Sequence, residues 1–455
     1  MNDQADLFSL LAHAQNLLDE GFANLPPATA PSLDSRTASI LDEAASRLQD
    51  NYPYAHPLYA GQMLKPPHPI ARAAYSLAMS VNPNNHALDG GRASSAMEVE
   101  AVAALAKMFS WPQHLGHLSS GGTFANLEAL WIASQLAPGK KIAASDQAHY
   151  THSRISGVLG LPFVSVPTDP TVRMDLAVLE DLLQAGDIGT VVVTLGTTAI
   201  GSVDPLDQIL ALQKRYPFRI HVDAAYGGYF TLASNLSPEA RRAYDAIPQV
   251  DSIVIDPHKH GLQPYGCGAV LFRDPAIGRF YKHDSPYTYF SSKDLHLGEI
   301  SLECSRAGAS AVALWATQRL LPYTHNGDFA RGLDSGHSAA LELNRRLASD
   351  PRFLAPLAPP QLDILFWAAR APQTRPTPET SSALAQRIFD EAAGLDLHLA
   401  LATLPIRFFP AGSFPGHATG TVTCLRSVLM KPEHLAWIDP IWQRLDQATT
   451  RALQF

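Results

Sequence analysis

Between about residues 95 and 275 the chain alternates short apolar, β-branched runs with segments of helical spacing, and few architectures accept that order. Runs at 142–145, 163–166, 191–195, 220–222, 253–255 and 269–272 show no regular polar alternation, so each reads as a strand covered on both faces. Helical segments lie between them at 124–136, 176–183 and 206–215. Strands hidden on both faces need helices above and below, and right-handed crossovers then make the sheet mostly parallel. The last two runs are joined by a short link, which allows one antiparallel strand. The expectation is an α/β domain around a mostly parallel central sheet.

The flanks read differently. Residues 35–49 (SRTASILDEAASRLQ) place Ile40, Leu41, Ala44, Ala45 and Leu48 at helical spacing. Residues 52–69 hold five prolines, which excludes a regular element; their aromatic content argues for an ordered loop packed on the body. A helix at 307–321 leads out of the alternating region. A smaller α+β unit follows, with helices at 338–347, 381–393 and 433–448, strands at 362–367, 397–401 and 421–430, and an exposed loop at 371–380. The division expected is an N-terminal helical and loop segment (1–90), an α/β domain (91–330) and a C-terminal α+β domain (331–455).

Composition narrows the class. With 455 residues, 46% hydrophobic and 17% charged, the chain can bury a large core and does not match a disordered protein. A net charge of −8 is the opposite of a nucleic-acid-binding footprint. Cys267, Cys304 and Cys424 are odd in number and lack metal spacing, so neither a disulfide framework nor a metal site is expected. The start, MNDQADLFSLLAHAQ, has no basic stretch of the secretory kind, and no apolar run approaches the ~20 residues that span a bilayer. The class expected is a cytoplasmic enzyme-sized protein without nucleic-acid or membrane partners.

Four groups fall near strand ends, where open α/β sheets bind ligands. Ser119, Ser120, Gly121, Gly122 and Thr123 precede the helix at 124–136; small residues and a helix N-terminus suit an anion, though the same pattern serves as a plain N-cap. In HVDAAYGG, Asp223 ends an apolar strand, either as a turn carboxylate or as a buried one facing a cationic group. In DPHKHG, Lys259 alone of nine lysines sits at the end of a core strand, between His258 and His260. A cationic and apolar setting favours the neutral amine that a Schiff base needs; a surface lysine is the alternative. In QAHYTH, His149 follows a strand, as a site residue or an ordinary packed one.

Their order is more specific than any one of them. An anion cradle, a histidine, a strand-end Asp and, 36 residues on, a strand-end Lys match what pyridoxal phosphate requires: an amine for its aldehyde, a carboxylate for its pyridine nitrogen, a stacking partner and a phosphate site. Through HPLYAGQM, SSGGTFANLEAL, QAHYTHSRISGVLGLP, TLGTTAIGSVDPL, HVDAAYGG, DPHKHG and LECSRAGASAVALW, the chain resembles the pyridoxal-phosphate-dependent decarboxylases of the aromatic-amino-acid and glutamate decarboxylase group (group II). HVDAAYGG with DPHK is the most specific match.

The resemblance implies the aspartate-aminotransferase-like fold (fold type I), a homodimer, and roles for individual residues. Lys259 would hold the cofactor, Asp223 would keep its pyridine nitrogen protonated, Ala225 and His149 would lie on its two ring faces, and Thr198 would sit close by. Ser120, Gly121, Gly122, Thr123 and His258 would hold its phosphate. The mobile tyrosine-bearing loop of the animal enzymes has no long counterpart between Asp274 and Glu303, so Tyr287 and Tyr289, together with His149, stand as candidates for protonating Cα. The reaction implied is α-decarboxylation of an L-amino acid. An aminotransferase, with Arg426 on the substrate carboxylate, is one rival. A carbon–carbon lyase acting on a phosphorylated amino alcohol, with Lys282, His283, Lys293 and Arg306 as a basic site, is another, and an inactive binding protein is a third. Tyr59, Gln62, Met63, Tyr287, Tyr289 and Phe290 favour an aromatic substrate, with an aspartate- or glutamate-like one next.

Overall fold

The computed structural model describes residues 2–26, 33–86, 90–282, 300–372 and 374–454. Among them, seven strands build the large sheet: β1 (Leu115–Ser119), β2 (Lys141–Ser145), β3 (Phe163–Val166), β4 (Ile188–Thr194), β5 (Arg219–Asp223), β6 (Ser252–Ile255) and β7 (Gly268–Phe272). Their order is β1-β7-β6-β5-β4-β2-β3. Neighbours from β6 to β3 pair in parallel, and β7 runs against both β6 and β1. The short link before β7 thus carries the one reversed strand.

Every residue of β4 is buried, and its side chains alternate between two cores. Val191 and Val193 join Ile220, Val222, Ile253 and Leu206 on one face, while Val192 joins Ile142, Ala144, Leu130 and Ile155 on the other. Cover on both faces is what a parallel sheet needs.

The small sheet is antiparallel, in the order β10-β11-β9-β8: β8 (Phe353–Leu354), β9 (Ile364–Ala369), β10 (Ala400–Pro405) and β11 (Thr421–Val428). The helices Asp328–Ser349, Pro378–Ala393 and Ile438–Ala452 bury Leu343, Ile388 and Leu445 with Trp367 and Leu425 of this sheet. The first of them begins ten residues before the expected start and passes through position 330, so the chain leaves the large sheet along a helix. The strand expected at 397–401 is displaced to Ala400–Pro405. Its first residues are taken by the proline-rich loop instead: Ala60 N–H donates to the His398 carbonyl and His398 N–H to that of Leu58. Among the described residues, no helix is long and apolar enough to cross a membrane.

Candidate active site

Strand direction positions the site. β4, β5 and β6 end at Thr194, Asp223 and Ile255 on one edge of the sheet. β1 ends on the same edge, because it and β6 both oppose β7. The loops leaving these ends converge on a cleft of about 460 Å3. Ser120, Gly121, Gly122, Thr123, His149, Thr198, Asp223, Ala225, His258 and Lys259 all line it, drawn from five segments of the chain. Phe124, Thr194, Tyr226 and Asp256 line it as well; sequence reasoning gave them no role.

The cradle forms where β1 runs into the helix Gly122–Leu136. Gly121 has φ +153°, and a Cβ on Gly122 would stand 2.7 Å from Asp256 Oδ2, so the carboxylate occupies the space a side chain would need. Gly122 and Thr123 open the helix, where N–H groups have no intrahelical acceptor and carry partial positive charge. Ser120 N–H already donates to Glu303 Oε2 at 3.0 Å, a contact across 183 positions that no local pattern signals.

Asp223, at the end of β5, is 5% exposed. Its Oδ2 accepts from His152 Nε2 at 2.8 Å and from Asn126 Nδ2 at 3.4 Å, and its Oδ1 accepts from Ala225 N–H at 3.1 Å. Burial alone would favour the neutral acid. The His152 hydrogen bond and charge, the Lys259 ammonium and the Ala225 N–H outweigh it and hold Asp223 well below the usual carboxylate range. An ionised carboxylate has about four acceptor sites, so these three donors leave capacity for one more from the cleft.

Lys259 Nζ lies 3.1 Å from Asp256 Oδ2. The cationic setting expected from the flanking histidines is not what the fold provides. His260 turns away to Asp363, 3.2 Å distant, and the nearest charge to Lys259 is a carboxylate. His258 stacks its ring on Tyr265, with centroids 4.9 Å apart; burial pushes it below the ordinary histidine range. His149 is half-buried and lowered by burial too. Its Nδ1 accepts from the Thr151 hydroxyl at 2.7 Å and from Thr151 N–H at 3.3 Å, which places the ring proton on Nε2.

Other candidates lie elsewhere. Tyr287, Tyr289 and Phe290, with His283 and Lys293, are outside the described residues. Tyr59 is buried against Tyr54, ring centroids 4.9 Å apart, and Met63 packs on the core; neither lines the cleft. Arg426 donates to the carbonyls of Ala199 (2.6 Å), Thr198 (2.7 Å) and Gly61 (3.0 Å) and to Gln62 Oε1 (3.3 Å). It is a buried brace between β11, the loop after β4 and the N-terminal loop, and it does not line the cleft. Arg306 is likewise engaged, with Glu98 at 2.5 Å and the Leu118 carbonyl at 2.8 Å.

The donor set suits pyridoxal phosphate: the Lys259 amine, the ionised Asp223 carboxylate, Ala225 beside it, the imidazoles of His149 and His258 and a helix N-terminus share a single cleft, with Asp256 beside the amine. Asp256 Oδ1, His258 Nδ1 and Thr194 Oγ1 are buried without a hydrogen-bond partner among the described residues, and all three residues line that cleft. Orphaned polar atoms gathered at one place are expected where a polar ligand completes the structure.

Comparison with known proteins agrees with this chemistry. A family model described as the pyridoxal-dependent decarboxylase conserved domain matches residues 23–369. An L-tyrosine decarboxylase of Enterococcus faecium is 28% identical over 390 residues, covering 63% of this chain and 64% of that protein. A probable L-tyrosine/L-aspartate decarboxylase of Methanothermobacter thermautotrophicus is 30% identical over 268 residues, covering 57% of this chain and 70% of that one. In fold, the chain matches a solved structure of Oryza sativa TDC with PLP and tryptamine, with a TM-score of 0.79 and 20% identity over 99% of this chain and 98% of that one.

Proposed function

The chain belongs to the pyridoxal-dependent decarboxylases, and we propose that it removes the α-carboxylate of an L-amino acid as carbon dioxide, an aromatic amino acid being favoured. The observation that carries this reading is the pairing of Asp223 and Lys259, which stand at the ends of adjacent strands and line one cleft.

When bound, pyridoxal phosphate supplies an electron sink for the bond lost as carbon dioxide. The rest falls to the protein. Lys259 would provide the amine that holds the cofactor's aldehyde. Asp223 keeps a proton on the pyridine nitrogen, which sustains the sink. Ala225, a short side chain, and the His149 imidazole, steadied by Thr151, would hold the cofactor's ring. Gly121, Gly122, Thr123 and His258 would hold the phosphate, and Ser120 would add its hydroxyl, its N–H being taken by Glu303. Protonation of Cα falls to His149 Nε2–H, or to Tyr287 or Tyr289.

The substrate preference rests on Phe124 and Tyr226 in the cleft wall and on relatives named as L-tyrosine decarboxylases. The aminotransferase alternative needs a free arginine, and Arg426 spends its hydrogen bonds on carbonyls. The lyase alternative loses Arg306 in the same way. A homodimer fits the helix Ser35–Leu48, which has no buried residue in the single chain. Carbon dioxide release from a panel of L-amino acids, with added pyridoxal phosphate, tests the reading. Release from tyrosine or another aromatic is expected, and silence across the panel would overturn it.

A further inference from the structure

His152 is hydrogen-bonded to Asp223. It comes from the helix Thr151–Val158, its side chain is 1% exposed, and it does not line the cleft. Its Nε2 is 2.8 Å from Asp223 Oδ2, so Nε2 carries the proton whether the ring is neutral or charged. Its Nδ1 is buried and has no hydrogen-bond partner among the described residues. A histidine buried with one nitrogen unsatisfied is a costly choice for mere packing.

A second line of donors reaches the same oxygen. Asn126 donates Nδ2–H to Asp223 Oδ2 and accepts at Oδ1 from His221 Nε2 at 2.8 Å. His221 Nδ1 in turn accepts from the Ser252 hydroxyl at 2.9 Å. Every hydrogen bond in this line points its proton toward Asp223, and such chains polarise one another. The line contacts Oδ2 weakly, at 3.4 Å; the His152 contact is the short one.

We propose that His152 is a positioning residue that fixes Asp223, holding its carboxylate turned toward the cleft and charged, so that the ring nitrogen of bound pyridoxal phosphate stays protonated. The inference rests on the cofactor reading above. It adds a residue 71 positions from Asp223 in the chain that acts only through that carboxylate.

The test compares wild type, His152→Val and His152→Gln. Three quantities are measured: the Kd for pyridoxal phosphate, the 15N resonance of a cofactor labelled at its ring nitrogen, and the Tm of the cofactor-free protein. His152→Val is expected to weaken cofactor binding about ten- to hundredfold, the worth of one hydrogen bond to a charged group, while His152→Gln, which keeps an N–H donor, stays within about threefold. The resonance should move toward its unprotonated position in His152→Val and hold in His152→Gln. Should His152→Val not fold, His152→Leu, which leaves no cavity, takes its place with the same expectation. An apolar variant with wild-type Kd and resonance overturns the proposal, even if its Tm falls. So does a glutamine variant as impaired as the apolar one. Wild-type protein that takes up no pyridoxal phosphate is a different result, because it removes the cofactor reading and this proposal with it.

Discussion

His221 shows how the site's chemistry reaches into stability at the level of one side chain. Burial pushes it down to about 3 from an ordinary 6.5, so the folded protein keeps it neutral where the unfolded chain would protonate it. Stability tied to His221 is therefore full above about pH 6.5 and is lost as pH falls from there toward 3, at about 1.4 kcal/mol per pH unit. His434, lowered to about 4 by burial, acts in the same sense. Urea unfolding of the cofactor-free protein at pH 5 and pH 7 should show the loss, and His221→Gln should lessen it; an unchanged difference between the two pH values would contradict the account. The neighbours of Asp223 also mark the limit of sequence reasoning about residues. Asp223, Lys259, His149 and the glycine cradle stood out because each closes a local pattern at a strand end. His152 and Asn126 did not, since their purpose is a contact 71 and 97 positions away. Asp256 stood in a quoted motif, but only the fold shows its carboxylate filling the space beside Gly122.

Elements were legible wherever burial is apolar. The runs read as strands coincide with β2 to β7, and all but β3 hide largely apolar stretches; β3, at the edge of the sheet, buries only Val166 and is not covered on both faces as its sequence suggests. β1 escaped because Gly116 lies against the Val270 carbonyl, where a Cβ would come within 2.8 Å, and because His117 is buried through its 2.8 Å bond to Glu128. The helix Arg92–Met108 escaped for a related reason. The first half of its buried face is polar, with Ser94 and Glu98 satisfied by Asn85 and Arg306, so its apolar stripe is confined to Ala101, Val102, Leu105, Ala106 and Met108. Arg426 gives a prediction at this scale, since it ties β11 to the loop after β4. Arg426→Met should destabilise the protein by about 3 kcal/mol by stranding buried carbonyls, and Arg426→Lys should recover little, a lysine being a single point donor. Thermal unfolding checks this. An unchanged Tm with a raised KM would instead return Arg426 to the role of substrate binder.

Across the whole molecule, the same logic explains what the single chain leaves exposed. Ile40, Leu41 and Leu48 are 63%, 63% and 67% exposed along the helix Ser35–Leu48, an apolar stripe that a second copy of the chain would cover. Replacing Ile40 and Leu41 together by glutamate should halve the mass seen in sedimentation; a wild type that sediments as a monomer would remove the dimer from the account. The large sheet, meanwhile, brings five separate segments to one edge, forming the cleft in which Lys259 would hold pyridoxal phosphate. Borohydride reduction of protein incubated with the cofactor converts a Schiff base into a stable amine, and peptide mass mapping then locates it. The phosphopyridoxyl group is expected on Lys259 alone, and none in Lys259→Ala. Its appearance on another lysine, or on none, would contradict this assignment.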